Sequence, residues 1–217
     1  MKTIAVIPAF NEEERIADVV GRTLRVCETV VVDDGSADRT ASRAEEAGAR
    51  IVRHPENLGK TAALEAGFRL ALEEGFEAAV TLDGDGQHRP EEIPRLVRSA
   101  EAGADVVVGS RMDDVADMPT VRLWTNRTTS RIVSFLARTR LYDTQSGFRL
   151  FRAEVLRKVS LSADRFAGES EVLIRAARMG FRIREVPVST IYFDTEGSKI
   201  APFRDTLRFF RLVAAYL

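Results

Sequence analysis

The sequence predicts an α/β protein whose mainly parallel sheet is covered by helices on both faces. Three observations lead there. Short runs of Val, Ile and Ala alternate with longer stretches of helical periodicity. The apolar runs are continuous, as expected for strands buried on both sides. The polar motifs of the first half follow directly after those runs, at the carboxyl ends where ligands of such sheets bind.

Residues 4–7, all apolar, read as the first strand, and residues 12–26 as a helix. Residues 29–32 hold three consecutive valines and form the second strand; a helix over 39–47 is closed by Gly48. Residues 50–53 give a third strand, followed by a helix over 61–74 with Gly75 just past its end, the usual stop residue. Residues 78–82 and 105–108 are two more apolar strands, separated by a helix over 91–102. In the second half, helices are expected from Met118 and Phe166 onward and over 201–217. With no repeat, linker or low-complexity segment, residues 1–217 are assigned to a single domain.

A chain of 217 residues buries about 70–75% of its unfolded surface, enough for a core without staples. The formal charge of −1 argues against a nucleic-acid partner, which calls for a clearly basic surface. Arginines nevertheless outnumber acids between Arg111 and Arg152, so an anionic partner is expected in the second half. Cys27 is the single cysteine and His54 and His88 the only histidines, which removes an intrachain disulfide and the common zinc sites. The chain opens on a strand with no signal-peptide pattern, and no run reaches the ~20 apolar residues of a membrane helix. The expected location is the cytoplasm, or the cytoplasmic face of a membrane as a peripheral protein.

The most informative motif is Leu82-Asp83-Gly84-Asp85-Gly86-Gln87-His88, directly after an apolar strand. Carboxylates two residues apart on extended backbone share one side. Such a pair can hold a hard divalent cation, which in turn binds a diphosphate; the competing reading is a solvated Asp-Gly turn. Pro8-Ala9-Phe10-Asn11-Glu12-Glu13-Glu14 follows the first strand. Here Asn11 and Glu14 fit a capping box, leaving Pro8, Phe10 and Glu12 to line a mouth. Asp33-Asp34-Gly35-Ser36 follows the three valines, where a carboxylate can accept hydrogen bonds from a base or ribose. Asn57-Leu58-Gly59-Lys60-Thr61 suggests a P-loop, but that motif needs a glycine where His54 stands. Arg127 and Arg131, four apart on one predicted helix, form either a phosphate clamp or a solvated basic stripe.

Taken together, these residues resemble glycosyltransferase family 2, in its dolichyl- or polyprenyl-phosphate mannosyl- and glucosyltransferase branch. The resemblance continues through Gly109-Ser110-Arg111, Asp143-Thr144-Gln145-Ser146-Gly147-Phe148-Arg149 and Glu185-Val186-Pro187-Val188, and so spans nearly the whole chain. It implies a GT-A fold, with residues 1–111 as the nucleotide-sugar and metal half and 112–217 as the acceptor half. Pro8, Phe10, Glu12, Val32, Asp34, Lys60, Asp83, Gly84, Asp85, Arg111 and Lys199 would then bind the donor, GDP-mannose or UDP-glucose. Asp83, Asp85 and Gln87 would hold Mg2+ or Mn2+. Arg122, Asn126, Arg127 and Ser146 would meet a lipid-phosphate acceptor. His88 reads as a helix-opening residue rather than a ligand.

Asp85, Arg111, Glu169 and Glu171 are the candidate catalytic residues. An alcohol acceptor needs a carboxylate base, whereas a phosphate monoester is already anionic. Glu169 and Glu171 are therefore a base, first-turn helix acids or sugar contacts, and these readings stay open. The family's closing loop is matched at Gly197-Ser198-Lys199, but the Arg-rich stretch before it is replaced by Tyr192-Phe193-Asp194-Thr195-Glu196. Residues 201–217 read as an amphipathic helix that either packs on the domain or lies on a bilayer. The expected activity is metal-dependent, inverting hexose transfer to a polyprenyl or dolichyl phosphate. A family member acting on a hydroxyl of a polysaccharide, small molecule or protein is the alternative, and a binding module without turnover a third reading.

Overall fold

The computed structural model describes residues 1–112, 115, 118–159, 168–191, 209 and 213–216. Its strands are β1 (Thr3–Ala9), β2 (Glu28–Asp33), β3 (Arg50–Arg53), β4 (Ala78–Thr81), β5 (Val106–Ser110), β6 (Arg149–Arg152) and β7 (Ile183–Pro187). The helices are α1 (Ile16–Leu24), α2 (Thr40–Glu46), α3 (Lys60–Glu73), α4 (Ile93–Glu101), α5 (Thr120–Ala137), α6 (Ala153–Lys158) and α7 (Gly168–Arg178). The sheet runs in the order β3-β2-β1-β4-β6-β5-β7. All neighbours are parallel except β6, which lies antiparallel between β4 and β5.

Successive side chains of a strand point to opposite faces, so a continuous apolar run feeds two cores. Ile4, Val6, Val30, Val32, Val106 and Val108 pack on one face with residues of α3, α5, α6 and α7. Ala5, Ile7, Val31, Val80, Val107 and Leu150 pack on the other with α1, α2 and α4. Each fully buried Ile or Val contributes roughly 1.5–3 kcal/mol, which is why these strands tolerate no charge in their interiors. α1 buries Ile16, Val19, Val20 and Thr23, the spacing of a single helical stripe. Between β4 and α4 a short 3-10 turn, Pro90–Glu92, lets the chain leave the sheet edge.

Two expectations change. Asn11 does not cap α1, which begins only at Ile16. Asn11 adopts φ 54°, and its Oδ1 accepts the N–H of Ala37 while its own N–H donates to Ser36 Oγ. It therefore ties the loop after β1 to the loop after β2. β6, α6 and β7 were not assigned from sequence. β6 carries an arginine at each end, and β7 is a partly exposed edge strand with Arg184 outward. Of the expected C-terminal helix, most lies outside the described residues, but Phe209, Val213 and Tyr216 pack against the first core.

Candidate active site

The parallel strands point their carboxyl ends to one rim, and β6, running the other way, begins there. The sequence motifs gather on this rim. Beyond β4, Asp83, Asp85 and Gln87 are partly exposed while Gly84, Gly86 and His88 are buried, so the three oxygen-bearing side chains share the open side. Asp85 Oδ1 accepts the N–H of Gln87 at 2.9 Å, which tightens the turn. His88 stacks on Phe148 with ring centroids 5.3 Å apart and accepts the Asp83 N–H through Nδ1. Burial lowers its pKa, consistent with a neutral ring accepting at that nitrogen. His88 braces the motif rather than opening a helix: it bridges to Thr190, and the following 3-10 turn is entered through Arg89.

Lys60, the first residue of α3, reaches across the rim. Its Nζ lies 2.5 Å from Asp83 Oδ1 and 2.7 Å from Glu169 Oε1 at the start of α7. Burial opposes ionisation of Asp83, but the ammonium outweighs it and holds the carboxyl at about 2. Burial likewise opposes ionisation of Glu169, and Lys60 and Arg149 keep its pKa below the usual carboxylate range. Lys60 itself is pushed down by burial and up, on balance, by the two acids. Gly147 backs this pair. A Cβ there would stand 3.0 Å from Asp83 Oδ2 and 3.1 Å from Lys60 Nζ.

A second cluster joins β5 to α5. Arg111 donates to Asp143 through its main-chain N–H, Nε and Nη2 at 2.9, 2.8 and 2.7 Å. Asn126 of α5 donates to the same carboxylate at 2.7 Å and accepts from Ser130. Burial opposes ionisation of Asp143, yet the bonds from Arg111 and Asn126 hold its pKa below the ordinary value. Glu185 of β7 accepts the N–H groups of Tyr142 and Asp143 at 2.8 and 2.7 Å, fixing the loop that presents Asp143. Arg149, almost wholly buried, donates to the carbonyls of Thr144, Ser146 and Glu169. It thereby ties the start of β6 to α7.

At the end of β2, Asp34 is buried and accepts from Leu58 N–H, Gly59 N–H and the His54 ring. Its carboxylate anchors the loop leading into α3 and hence Lys60. Gly35 has φ +73°, and a Cβ there would meet the Glu56 main chain at 2.4 Å, so only glycine fits. An open pocket of about 350 Å³ lies beside it, lined by Gly35, Ser36, Arg53, His54 and Pro55. Pro8 is buried next to this rim, Glu12 is half-buried, and Phe10 is 38% exposed.

Several expected residues sit differently from their sequence reading. Val32 lies in the core with its main chain between β1 and β3, so its side chain does not line the rim. Ser146 is fully buried, with its Oγ accepting the Phe148 N–H. Arg127 and Arg131 are exposed, off the side of α5 that carries Asn126, while Arg122 is half-buried. The buried stripe Asn126, Ser130, Val133 and Ala137 sets that orientation. Glu171 pairs with Arg175 at 2.6 Å and accepts from the Tyr216 hydroxyl at 3.2 Å. Lys199 lies outside the described residues. Asp143, Gly147, Arg149 and Glu185 were present in the quoted motifs, but nothing local to them showed what they hold.

The donor set on the rim suits a hard cation. Asp83, Asp85 and Gln87 offer oxygen only, and among the described residues no cluster of three or more His, Cys, Asp or Glu forms a closed cage. Magnesium-type ions are held in this open way, by one or two carboxylates with substrate phosphates completing the shell.

A seven-stranded mixed sheet with an acidic motif at the carboxyl end of its fourth strand is the arrangement of GT-A glycosyltransferases. The crystal structure of glucosyl-3-phosphoglycerate synthase from Mycobacterium tuberculosis with Mn2+, UDP and glucosyl-3-phosphoglycerate superposes with a TM-score of 0.72, covering 99% of this chain and 78% of that one. At 23% identity that likeness shows the fold. The sequence model described as Glycosyl transferase family 2 matches residues 4–160. Polyprenol monophosphomannose synthase of Mycolicibacterium smegmatis is 36% identical over 203 residues, covering 87% of this chain and 77% of that protein. Undecaprenyl-phosphate mannosyltransferase of Micrococcus luteus is 32% identical over 215 residues, covering 93% and 88%. The chain belongs to glycosyltransferase family 2, and its relatives support the polyprenyl-phosphate branch of that family.

Proposed function

We propose that this enzyme transfers a hexose, mannose or glucose, from GDP-mannose or UDP-glucose to a polyprenyl or dolichyl phosphate with inversion at the anomeric carbon. The observation that carries the choice of acceptor is the state of the two glutamates on α7. Glu169 is paired with Lys60 and lies 3.8 Å from Arg149, and Glu171 is engaged by Arg175 and Tyr216. Against the effect of burial, Lys60 and Arg149 hold the Glu169 carboxyl below the usual range, which makes it a weak base, poorly suited to deprotonating an alcohol, while Glu171 is occupied by its own partners. An acceptor phosphate arrives already ionised and needs no such group. The two relatives, a polyprenol monophosphomannose synthase and an undecaprenyl-phosphate mannosyltransferase, point the same way.

In this reading Asp83, Asp85 and Gln87 hold Mg2+ or Mn2+, which when bound supplies charge stabilisation for the departing nucleoside diphosphate. Pro8, Phe10, Glu12 and Asp34 frame the base and ribose, with Val32 contributing through the sheet. Lys60 and Arg111 supply cationic charge beside the donor phosphates, and Gly84 lets them approach the backbone. Arg122 and Asn126, on the half of α5 nearest Asp143, meet the acceptor phosphate, with Arg127 and Ser146 at the margins of that site. By the family resemblance, Lys199, outside the described residues, would add a further phosphate contact. No described helix is long and apolar enough to cross a bilayer.

The test is to incubate the pure protein with Mn2+, a panel of nucleotide sugars and a short-chain polyprenyl phosphate, and to identify products by mass spectrometry. A hexosyl lipid phosphate is expected. Asp85→Ala should reduce its formation at least about 100-fold, the scale of lost electrostatic stabilisation at a charged transition state, with an unchanged circular dichroism spectrum. Full activity of that variant overturns the assigned chemistry, and transfer only to alcohols overturns the acceptor.

A further inference from the structure

We propose that Glu92 is a positioning residue for the cation site. It clasps the chain that leaves β7 against the buried side of the Asp83–His88 motif, and so fixes where Asp85 and Gln87 present their oxygens. This role rests on the metal reading above and adds a residue outside that site which governs it. Glu92 stands at the N-terminal boundary of α4, where an acid ordinarily complements the helix dipole. Its side chain makes no cap bond there. It is 12% exposed and turns instead to the chain beyond β7. Oε2 accepts the Ser189 main-chain N–H at 2.9 Å, and Oε1 accepts the Ser189 hydroxyl at 3.4 Å. Arg95 Nη1 closes the clasp, donating to Glu92 Oε1 at 3.3 Å and to the Pro187 carbonyl at 3.2 Å.

The clasped chain joins two parts of the rim. Its near end is still held by β5, since Val188 N–H donates to the Ser110 carbonyl at 2.9 Å, next to Arg111. Val188 is buried against Gly109, where a Cβ would stand 3.0 Å from its methyl groups. Further on, Ile191 N–H donates to the Gln87 carbonyl at 2.9 Å, and Thr190 bridges antiparallel to His88. Between these anchors lies Ser189, and Glu92 is the side chain that holds it. Gln87 thus has its main chain fixed by the clasped segment, while its side chain shares the open side with Asp85. Asp85 Oδ1 accepts the Gln87 N–H, so a shift of Gln87 moves both oxygen donors together. Removing groups that orient metal ligands typically costs about 10–100-fold in metal affinity. A bond from a main-chain N–H to an ionised carboxylate is among the stronger of such supports.

The test is a titration of the full chain with Mn2+ in the presence of GDP or UDP, with free Mn2+ read by electron paramagnetic resonance. Glu92→Ala should weaken binding about tenfold. Glu92→Gln, which keeps an oxygen for the Ser189 N–H, should recover most of the affinity. Hydrogen exchange supplies a readout that needs no metal. The Ile191 amide is bonded to Gln87 and not to Glu92, so its faster exchange in Glu92→Ala should report the segment leaving the motif. Amides of the core strands should exchange as in the wild type. If Glu92→Ala fails to fold, Glu92→Asp serves in its place, since it keeps the charge but falls one methylene short of Ser189. The proposal is overturned by wild-type Mn2+ affinity in the variant that breaks the clasp, by an unchanged Ile191 amide, or by Glu92→Gln binding as weakly as Glu92→Ala. A wild type that binds Mn2+ with neither nucleotide would refute the metal reading itself, and this role with it.

Discussion

Lys60 links two elements of the rim, since one ammonium serves both Asp83 after β4 and Glu169 of α7; in the proposed function these are the donor and acceptor sides. Gly147 determines how closely they approach. A methyl group there would press on Asp83 and Lys60 from 3.0–3.1 Å. Both partners are side-chain ends and can yield by a few tenths of an ångström, so Gly147→Ala should fold with little change in melting temperature. Displacing a carboxylate that positions the donor is costlier, and transfer should drop roughly tenfold to a hundredfold. Steady-state kinetics beside thermal melts would separate the two, and a variant that loses stability but keeps its rate would remove Gly147 from the site. Asp83 and Asp85 stood out in the sequence as an Asp-x-Asp pair directly after an apolar strand, and the structure places both on the open side of the rim. The partnership of Lys60 did not stand out, because Asp83 and Glu169 are brought to it only by the folded sheet. Val32 and Ser146 bury their side chains although they stand in rim motifs: a motif residue at a strand end can pack inside while its neighbours face the open side.

At the scale of elements, β7 is an edge strand that supports the site from a distance. Its Glu185 carboxylate receives two main-chain N–H groups and so fixes Asp143, which orients Arg111 and Asn126. Glu185 is therefore a positioning residue. Glu185→Ala should lower kcat/KM for the lipid phosphate about tenfold or more through loss of these charge-assisted bonds. Glu185→Gln, which keeps an acceptor oxygen, should recover most of it. A merely structural residue would instead lower the yield of folded enzyme in both variants and leave the rate per folded molecule alone. The strands β1 to β5 were readable because continuous Val and Ile runs have no other home than a doubly covered sheet. β6 was hidden by Arg149, whose burial is made tolerable by carbonyl acceptors from three other residues that no local pattern reveals. β7 was hidden by its partial exposure, and its motif Glu185-Val186-Pro187-Val188 was visible without a role.

At the scale of the whole molecule, the buried ion pairs that build the site also set how the fold responds to acid. Exposed pairs such as Lys158 with Glu154 contribute little in water. Arg111 with Asp143 differs, because the acid side chain is 0% exposed and the arginine 11%. The folded-state pKa of Asp143 lies below its unfolded value of about 3.9. The unfolded chain therefore takes up the proton first as pH falls. Stability from this group is fully present above the unfolded pKa and is lost as pH drops through the folded one. Urea midpoints should be level above about pH 7, begin to fall below about pH 6.5 as the unfolded chain protonates His88, and decline further below about pH 4 as the carboxylates follow. Asp143→Asn keeps the shape but removes the charge that pairs with Arg111 in this cluster, a loss of about 3 kcal/mol at neutral pH. Because the variant has no proton to take up at this position, its midpoint starts lower and falls less between pH 5 and 3. Urea titrations of both proteins across that range decide the matter. Parallel decline of the two curves would mean that other carboxylates govern acid unfolding and that the Arg111–Asp143 pair serves the site without stabilising the fold.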